Sequence, residues 1–323
     1  MAIVVKSMKG WALVALSAMA VFSCMPMASA QPSADPVAQA RQLAVQGKLA
    51  ESQKLLNNFL SKNPSSADGH FLLGYVLFRL QDPKASLAAF TAGAKYRRPD
   101  PADLKIVASD YVLLKDFADA EKWFNAVVTE SPLDADAWYL LGRTQYNEEE
   151  FTKAIKSFRQ ALALRPQYVE AENNLGLALN ASNQKDDAQT AYKTAIAWQG
   201  ETPHDAQPFL NMGTMFVDSH KNEEALPYLI KAVALAPDNP KAHQELSKAY
   251  SELHQLEQAQ SELEAAVKLA PNISSLHYQL AQIYRKRGLA EQAQKEFDIC
   301  ERLGSAHSST EAPNPPNRTP APH

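Results

Sequence analysis

Residues 135–166, ADAWYLLGRTQYNEEEFTKAIKSFRQALALRP, decide the fold. Counted from Ala135, a large residue stands fourth (Trp138), leucine seventh (Leu141) and glycine eighth (Gly142). After the helix-breaking region near Phe151, alanine stands twentieth (Ala154), an aromatic twenty-fourth (Phe158), alanine twenty-seventh (Ala161) and proline thirty-second (Pro166). Small residues at facing positions let two antiparallel helices approach, and large ones fill the gaps between them. Proline ends the second helix because it lacks an N–H and clashes with the preceding turn.

The same frame recurs at a fixed period, over 33–66, 67–100, 101–134, 135–168, 169–202, 206–239, 240–273 and 274–307. The eighth position reads Ala40, Gly74, Ala108, Gly142, Gly176, Gly213, Ser247 and Ala281. The twentieth reads Ser52, Ser86, Ala120, Ala154, Ala188, Ala225, Ala259 and Ala293. Every residue in both columns is small. Prolines recur near the repeat ends at Pro64, Pro132, Pro166, Pro237 and Pro271, with Pro99 one place late. Self-similarity of this kind marks a stacked array.

The pattern resembles the tetratricopeptide repeat family, and the resemblance covers residues 33–307. It implies an all-α, right-handed α-solenoid of about eight helix-turn-helix repeats. The first repeat is degenerate, as a terminal unit tends to be. The extra residues in Gln199 to Asp205 make the join between the fifth and sixth repeats a candidate hinge. Gly304 is expected to stop the last helix, and 308–323, rich in Pro, Ser and Asn, to be a disordered tail. No further polar helix follows to seal the array. Leu289, Phe297, Ile299 and Leu303 then either stay partly uncovered, as a partner or self-association contact, or fold back on their own repeat.

The first thirty residues read as a signal peptide. Lys6 and Lys9 precede an apolar run from Trp11 to Phe22 and a small-residue site at Ala28-Ser29-Ala30. Cleavage there leaves Gln31 first, in an exported, periplasmic or extracellular protein. The alternative is a lipoprotein box at Val21 to Cys24, less well matched because Phe22 is bulky. Either way the mature body keeps one thiol, Cys300, and forms no intrachain disulfide. No run of about eighteen apolar residues is present, so no membrane span is expected. A formal charge of −4 without a basic stripe argues against nucleic acid.

The resemblance also implies where binding occurs. In the family, positions two, five, six, nine, twelve and thirteen of each repeat face a concave groove. Repeats two to four place aromatic and aliphatic residues there, including Phe71, Leu72, Phe78, Ile106, Val112 and Leu140. Repeats five and six place asparagines, and repeats seven and eight place Lys241, Glu245, Lys248, Gln279, Gln282, Arg285 and Lys286. Phe71, Leu72 and Phe78 are read as inter-repeat packing. The candidate partner-binding residues are Tyr75, Tyr139, Arg143, Tyr146, Asn174 and Asn211. Tyrosine and arginine bury large areas at binding hot spots, and an asparagine amide both donates to and accepts from a peptide main chain. The family's carboxylate clamp is not reproduced, since Glu245 stands where a basic residue belongs.

Chemistry is sparse. The chain has no phosphate loop, no His-Glu-x-x-His, no nucleophile elbow and no cysteine pair, so neither an enzyme nor a cofactor or metal site is expected. His70, His243 and His277 share the fourth position with Trp138 and read as packing residues. The expected function is a protein-interaction scaffold of the bacterial envelope that binds a protein or peptide. The alternative is a substrate-recognition accessory subunit of an envelope enzyme complex.

Overall fold

A computed structural model describes residues 35–310, with side chains through Gly304. The signal peptide, Cys24 and tail residues 311–323 lie outside the described residues. Sixteen helices and no strand occur among the described residues. They pair as α1 (Pro36–Val45) with α2 (Leu49–Leu60), α3 (Ala67–Arg79) with α4 (Pro83–Ala94), α5 (Pro101–Leu113) with α6 (Phe117–Glu130), and α7 (Ala135–Asn147) with α8 (Phe151–Leu164). The series continues with α9 (Val169–Ala181) and α10 (Lys185–Ala197), α11 (Gln207–Asp218) and α12 (Asn222–Leu235), α13 (Pro240–Glu252) and α14 (Leu256–Leu269), and α15 (Ser274–Lys286) and α16 (Ala290–Thr310). Helices touch their neighbours in sequence, and several odd-numbered helices also touch the odd-numbered helix two places on. This is the nearest-neighbour stacking of an α-solenoid.

Close approach within each pair comes from the eighth position. A Cβ built on Gly142 would lie 2.7 Å from the Phe158 ring, and one on Gly176 2.6 Å from the Tyr192 ring. Serine in these columns satisfies its own hydroxyl across the contact. Ser52 donates to Ala40 O at 2.8 Å, Ser86 to Gly74 O at 2.9 Å and Ser247 to Ala259 O at 2.6 Å. Helix starts carry caps and prolines: Asp35, Ser66, Asp100, Asp134 and Asn239 accept backbone N–H groups, and Pro36, Pro83, Pro101 and Pro240 stand in the first turn.

Two features recur along the array. The fifteenth residue of each repeat has φ between 57° and 77°, and only Gly47 and Gly288 among these eight are glycines. In four of the repeats the fourth-position ring bonds the carbonyl of the proline that ended the previous repeat. Trp138 Nε1 donates to Pro132 O at 2.9 Å, and the Nε2 atoms of His70, His243 and His277 meet the carbonyls of Pro64, Pro237 and Pro271 at 2.9, 3.1 and 2.9 Å. The other nitrogen of His243 lies 2.6 Å from Glu262, and that of His277 lies 2.6 Å from Glu296. Both histidines are buried packing residues.

One sequence expectation needs correction. Gly304 does not stop the last helix: α16 runs on to Thr310. A mid-helix glycine costs only about 1 kcal/mol, and Gly304 is absent from the left-handed positions that end helices. The Gln199–Asp205 join, read as a candidate hinge, is hydrogen-bonded within itself. Gln199 Oε1 accepts from the backbone N–H groups of His204 and Asp205, at 3.1 and 2.8 Å, and its amide donates to Asp205 O at 3.3 Å. At the C-terminal end, Leu289, Phe297, Ile299 and Leu303 are half-buried. The exposed face of α16 is polar, with Glu291, Gln294, Lys295, Asp298 and Glu301.

One buried group stands apart. Asp110 is fully buried in α5, and neither carboxylate oxygen has a hydrogen-bond partner. Burial pushes its pKa up to about 6; the Ser86 hydroxyl opposes the rise and the Asp82 carboxylate adds to it. Val76 occupies the same place in the second repeat. A folded-state pKa above the unfolded one means that ionisation costs the fold. The cost is absent below about pH 4, grows through pH 4–6 and reaches about 3 kcal/mol above that. Asp110→Val should therefore raise the melting midpoint much more at pH 8 than at pH 4; an equal gain at both would refute the unpaired carboxylate. Gly142→Leu should lower stability by about 1–3 kcal/mol by driving a side chain into Phe158. An unmoved melting midpoint would show that the eighth position does not carry the helix contact.

Candidate functional site: the concave groove

In a stacked array of helix pairs the first helix of each pair, here odd-numbered, forms the inner face, and the character of that face changes along the array. Between α1, α3 and α5 lies a cavity of about 450 Å³ lined in part by Val45, Tyr75, Arg97, Asp103 and Ile106. Val45 is 82% exposed. A second cavity of about 280 Å³, between α3, α5 and α7, is walled by Phe78, Val112, Leu113, Leu140 and Arg143. At the far end, a polar cavity of about 420 Å³ between α13 and α15 is lined by Lys241, Gln244, Glu245, Lys248, Gln279 and Lys286. There Glu245 is buried, with one oxygen 2.6 Å from Lys241 and the other unpartnered.

Tyr139, Arg143 and Asn174 come together as one cluster. The Tyr139 ring is half-buried against Phe158 and Tyr168, at centroid distances of 6.1 and 5.0 Å. The Arg143 guanidinium lies over it at 5.7 Å, and Asn174 Nδ2 donates to its hydroxyl at 3.2 Å. Burial pushes the Tyr139 hydroxyl pKa up. Behind it, Arg165 donates two hydrogen bonds to Asp136, at 2.8 and 2.9 Å, and the Tyr168 hydroxyl adds a third at 3.1 Å. Arg165 and Tyr168 together hold the Asp136 carboxyl below its ordinary range. A charge-assisted pair of this shape fixes geometry as well as charge.

The other candidates are placed differently. Tyr146 turns toward the body of its repeat and packs on Phe151 at 5.5 Å. Asn174 spends its second amide proton on Glu170 O at 2.7 Å. Asn211 donates to Asn173 at 2.9 Å and accepts from Gln207 at 2.8 Å, so both asparagine amides knit neighbouring turns and repeats. Tyr75 is two repeats away, its hydroxyl accepting from Arg79 at 2.7 Å. Phe71 and Leu72 are buried as packing residues, whereas Phe78 is only half-buried and walls the second cavity.

Sequence reasoning missed the Asp136–Arg165–Tyr168 brace and the exposed Leu113. Asp136 and Arg165 sit at the second and thirty-first places of one repeat, and opposite charges at those places were the available signal. Among the described residues no three His, Cys, Asp or Glu side chains gather as metal ligands, and no helix is long and apolar enough to cross a membrane.

Two family models match in adjoining stretches. The model described as "Tetratricopeptide repeat" matches residues 37–103, and that described as "Cilia and flagella-associated protein 70 middle TPR-like domain" matches 104–298. The chain is 30% identical to human Protein O-mannosyl-transferase TMTC3 over 120 residues, and 29% identical to the BBSome complex member BBS4 of Xenopus tropicalis over 132. These matches cover 37% and 41% of this chain but only 13% and 25% of those proteins. Among solved structures, a tetratricopeptide repeat protein from Parabacteroides merdae aligns with TM-score 0.63 and 17% identity, covering 77% of this chain and 97% of its own. A chain of the APC/C hetero-tetramer Cut9–Hcn1 aligns with TM-score 0.59 and 16% identity, covering 84% of this chain and 52% of its own. Both structures show the same fold. From its recurring small columns to the family models that match residues 37–103 and 104–298, the chain belongs to the tetratricopeptide repeat family.

Proposed function

We propose that the protein is a non-catalytic scaffold that holds a segment of a partner protein along its concave face, anchored at Tyr139 and Arg143. The observation that carries this reading is the braced cluster: an aromatic and an arginine held in place at the groove surface by Asp136, Arg165, Tyr168 and Asn174. Side chains ordered before binding lose little entropy on contact, so their buried area converts efficiently to affinity. The names of relatives agree in kind. A Candida albicans protein 30% identical over 106 residues is named a peroxisomal targeting signal receptor, and BBS4 is named a complex member.

Replacing Tyr139 and Arg143 together by alanine should weaken capture of the native partner at least about 30-fold, the scale of a hot-spot loss of 2 kcal/mol, with helicity unchanged. Lys156→Ala with Arg159→Ala, on exposed positions of α8, should leave capture intact. The reverse pattern would move the contact to the outer face.

The same reading makes this an exported protein of a bacterial envelope, supported by the leader-like residues 1–30. Mass spectrometry of the mature protein from its native host should find Gln31 at the amino terminus. A lipid-modified Cys24 would instead mean a membrane-anchored protein, and an intact leader would end the export reading.

A further inference from the structure

Arg79 and Arg143 differ from the arginines at the repeat joins. Those at the joins hold carboxylates, as Arg97 holds Asp68 and Arg165 holds Asp136. Arg79 and Arg143, on the concave face, have no carboxylate within salt-bridge distance among the described residues. Yet both are held in place. Each stands one helical turn after a tyrosine, and each guanidinium lies over that ring, at 5.8 Å for Arg79 on Tyr75 and 5.7 Å for Arg143 on Tyr139. A guanidinium has five N–H donors, and a hydrogen bond to the Tyr75 hydroxyl occupies one of those on Arg79.

Arg143 lines the cavity of about 280 Å³ together with Val112 and Leu113 of α5, Phe78 of α3 and Leu140 of α7, and Arg79 follows Phe78 at the end of α3. Leu113 is 43% exposed. A largely apolar pocket with one oriented guanidinium in its wall, and a second next in the chain to its Phe78, therefore belongs to a chain whose formal charge is −4.

We propose that the segment this groove recognises is acidic with an apolar anchor: an aliphatic or aromatic side chain fills the pocket of Val112, Leu113 and Leu140, and flanking carboxylates take Arg79 and Arg143. The proposal rests on the groove reading above and adds the chemistry of the partner. Planar, oriented guanidinium groups match carboxylates bidentately. A basic segment would leave both arginines uncompensated and meet like charge at the Arg143 wall of the pocket. A free phosphate would satisfy the guanidinium groups and leave the apolar pocket open to water.

The test is selection of a displayed library of random twelve-residue peptides on the full mature chain, followed by affinity measurement on variants. The selected peptides should combine a large apolar residue with Asp or Glu. They should bind the Arg79→Gln, Arg143→Gln double variant about tenfold or more weakly. Both arginines are exposed, so the double variant should keep its helicity. Selected peptides that are neutral or basic, yet are lost on Leu113→Asp, would overturn the acidic partner and leave the groove reading standing. No enrichment over bait-free controls, or binding that neither variant alters, would overturn both.

Discussion

The contact between the eighth and twenty-fourth residues of each repeat is the constraint on which the rest of this structure depends. Gly142 meets Phe158, Gly176 meets Tyr192, Gly74 meets Phe90 and Gly213 meets Leu229, each with no room for a further carbon at the glycine. That contact sets the spacing of the two helices, and the spacing sets the groove into which the next repeat packs. Between repeats the twenty-eighth residue packs at the join in Leu60, Val128, Leu162, Ile196, Val233 and Val267, while Ala94 is exposed. In the last repeat that place is Glu301, which is exposed.

What could be read from the residues was whatever repeats. A column of eight small residues has a single mechanical explanation, so fold, register and helix pairing follow from it. The concave face was legible for a second-hand reason, since the family's geometry assigns those positions once the register is known. Features that one repeat has and the others lack stayed hidden. The clamp of Gln199 on the Asp205 loop and the brace of Asp136 by Arg165 are side-chain choices at places without a column. Asp110 is the same kind of exception, a carboxylate where Val76, Thr144 and Ala178 fill the matching place. The run through Gly304 was misread because a glycine near a helix end carries the same signal whether or not the chain turns there.

The fifteenth position was missed for the opposite reason. Its conformation is shared by every repeat while its residue type is not, so only Gly47, Gly288 and Asn183 carry a visible preference for positive φ. Lys115, Glu149 and His254 adopt the same conformation because the helices on either side over-determine it. The packing of the pair, not the turn residue, dictates the turn.

This ordering of causes bears on how the groove could work. Packing within and between repeats uses the fourth, eighth, twentieth, twenty-fourth and twenty-eighth places, which leaves the concave places free to differ from repeat to repeat. They do differ, from Tyr75, Val112 and Tyr139 at one end to Gln279 and Lys286 at the other. Yet the concave side chains are not independent of the stack. Tyr139 is held by Asn174 of the following repeat, and Asn211 by Asn173 of the preceding one. Loosening the join between the fourth and fifth repeats would therefore release the Tyr139 ring as well as the helices. A ligand that needs Tyr139 in place binds the stacked state better than the unstacked one, and so must stabilise that join in proportion to its affinity. Recognition and stability in this array are two readings of the same inter-repeat contacts.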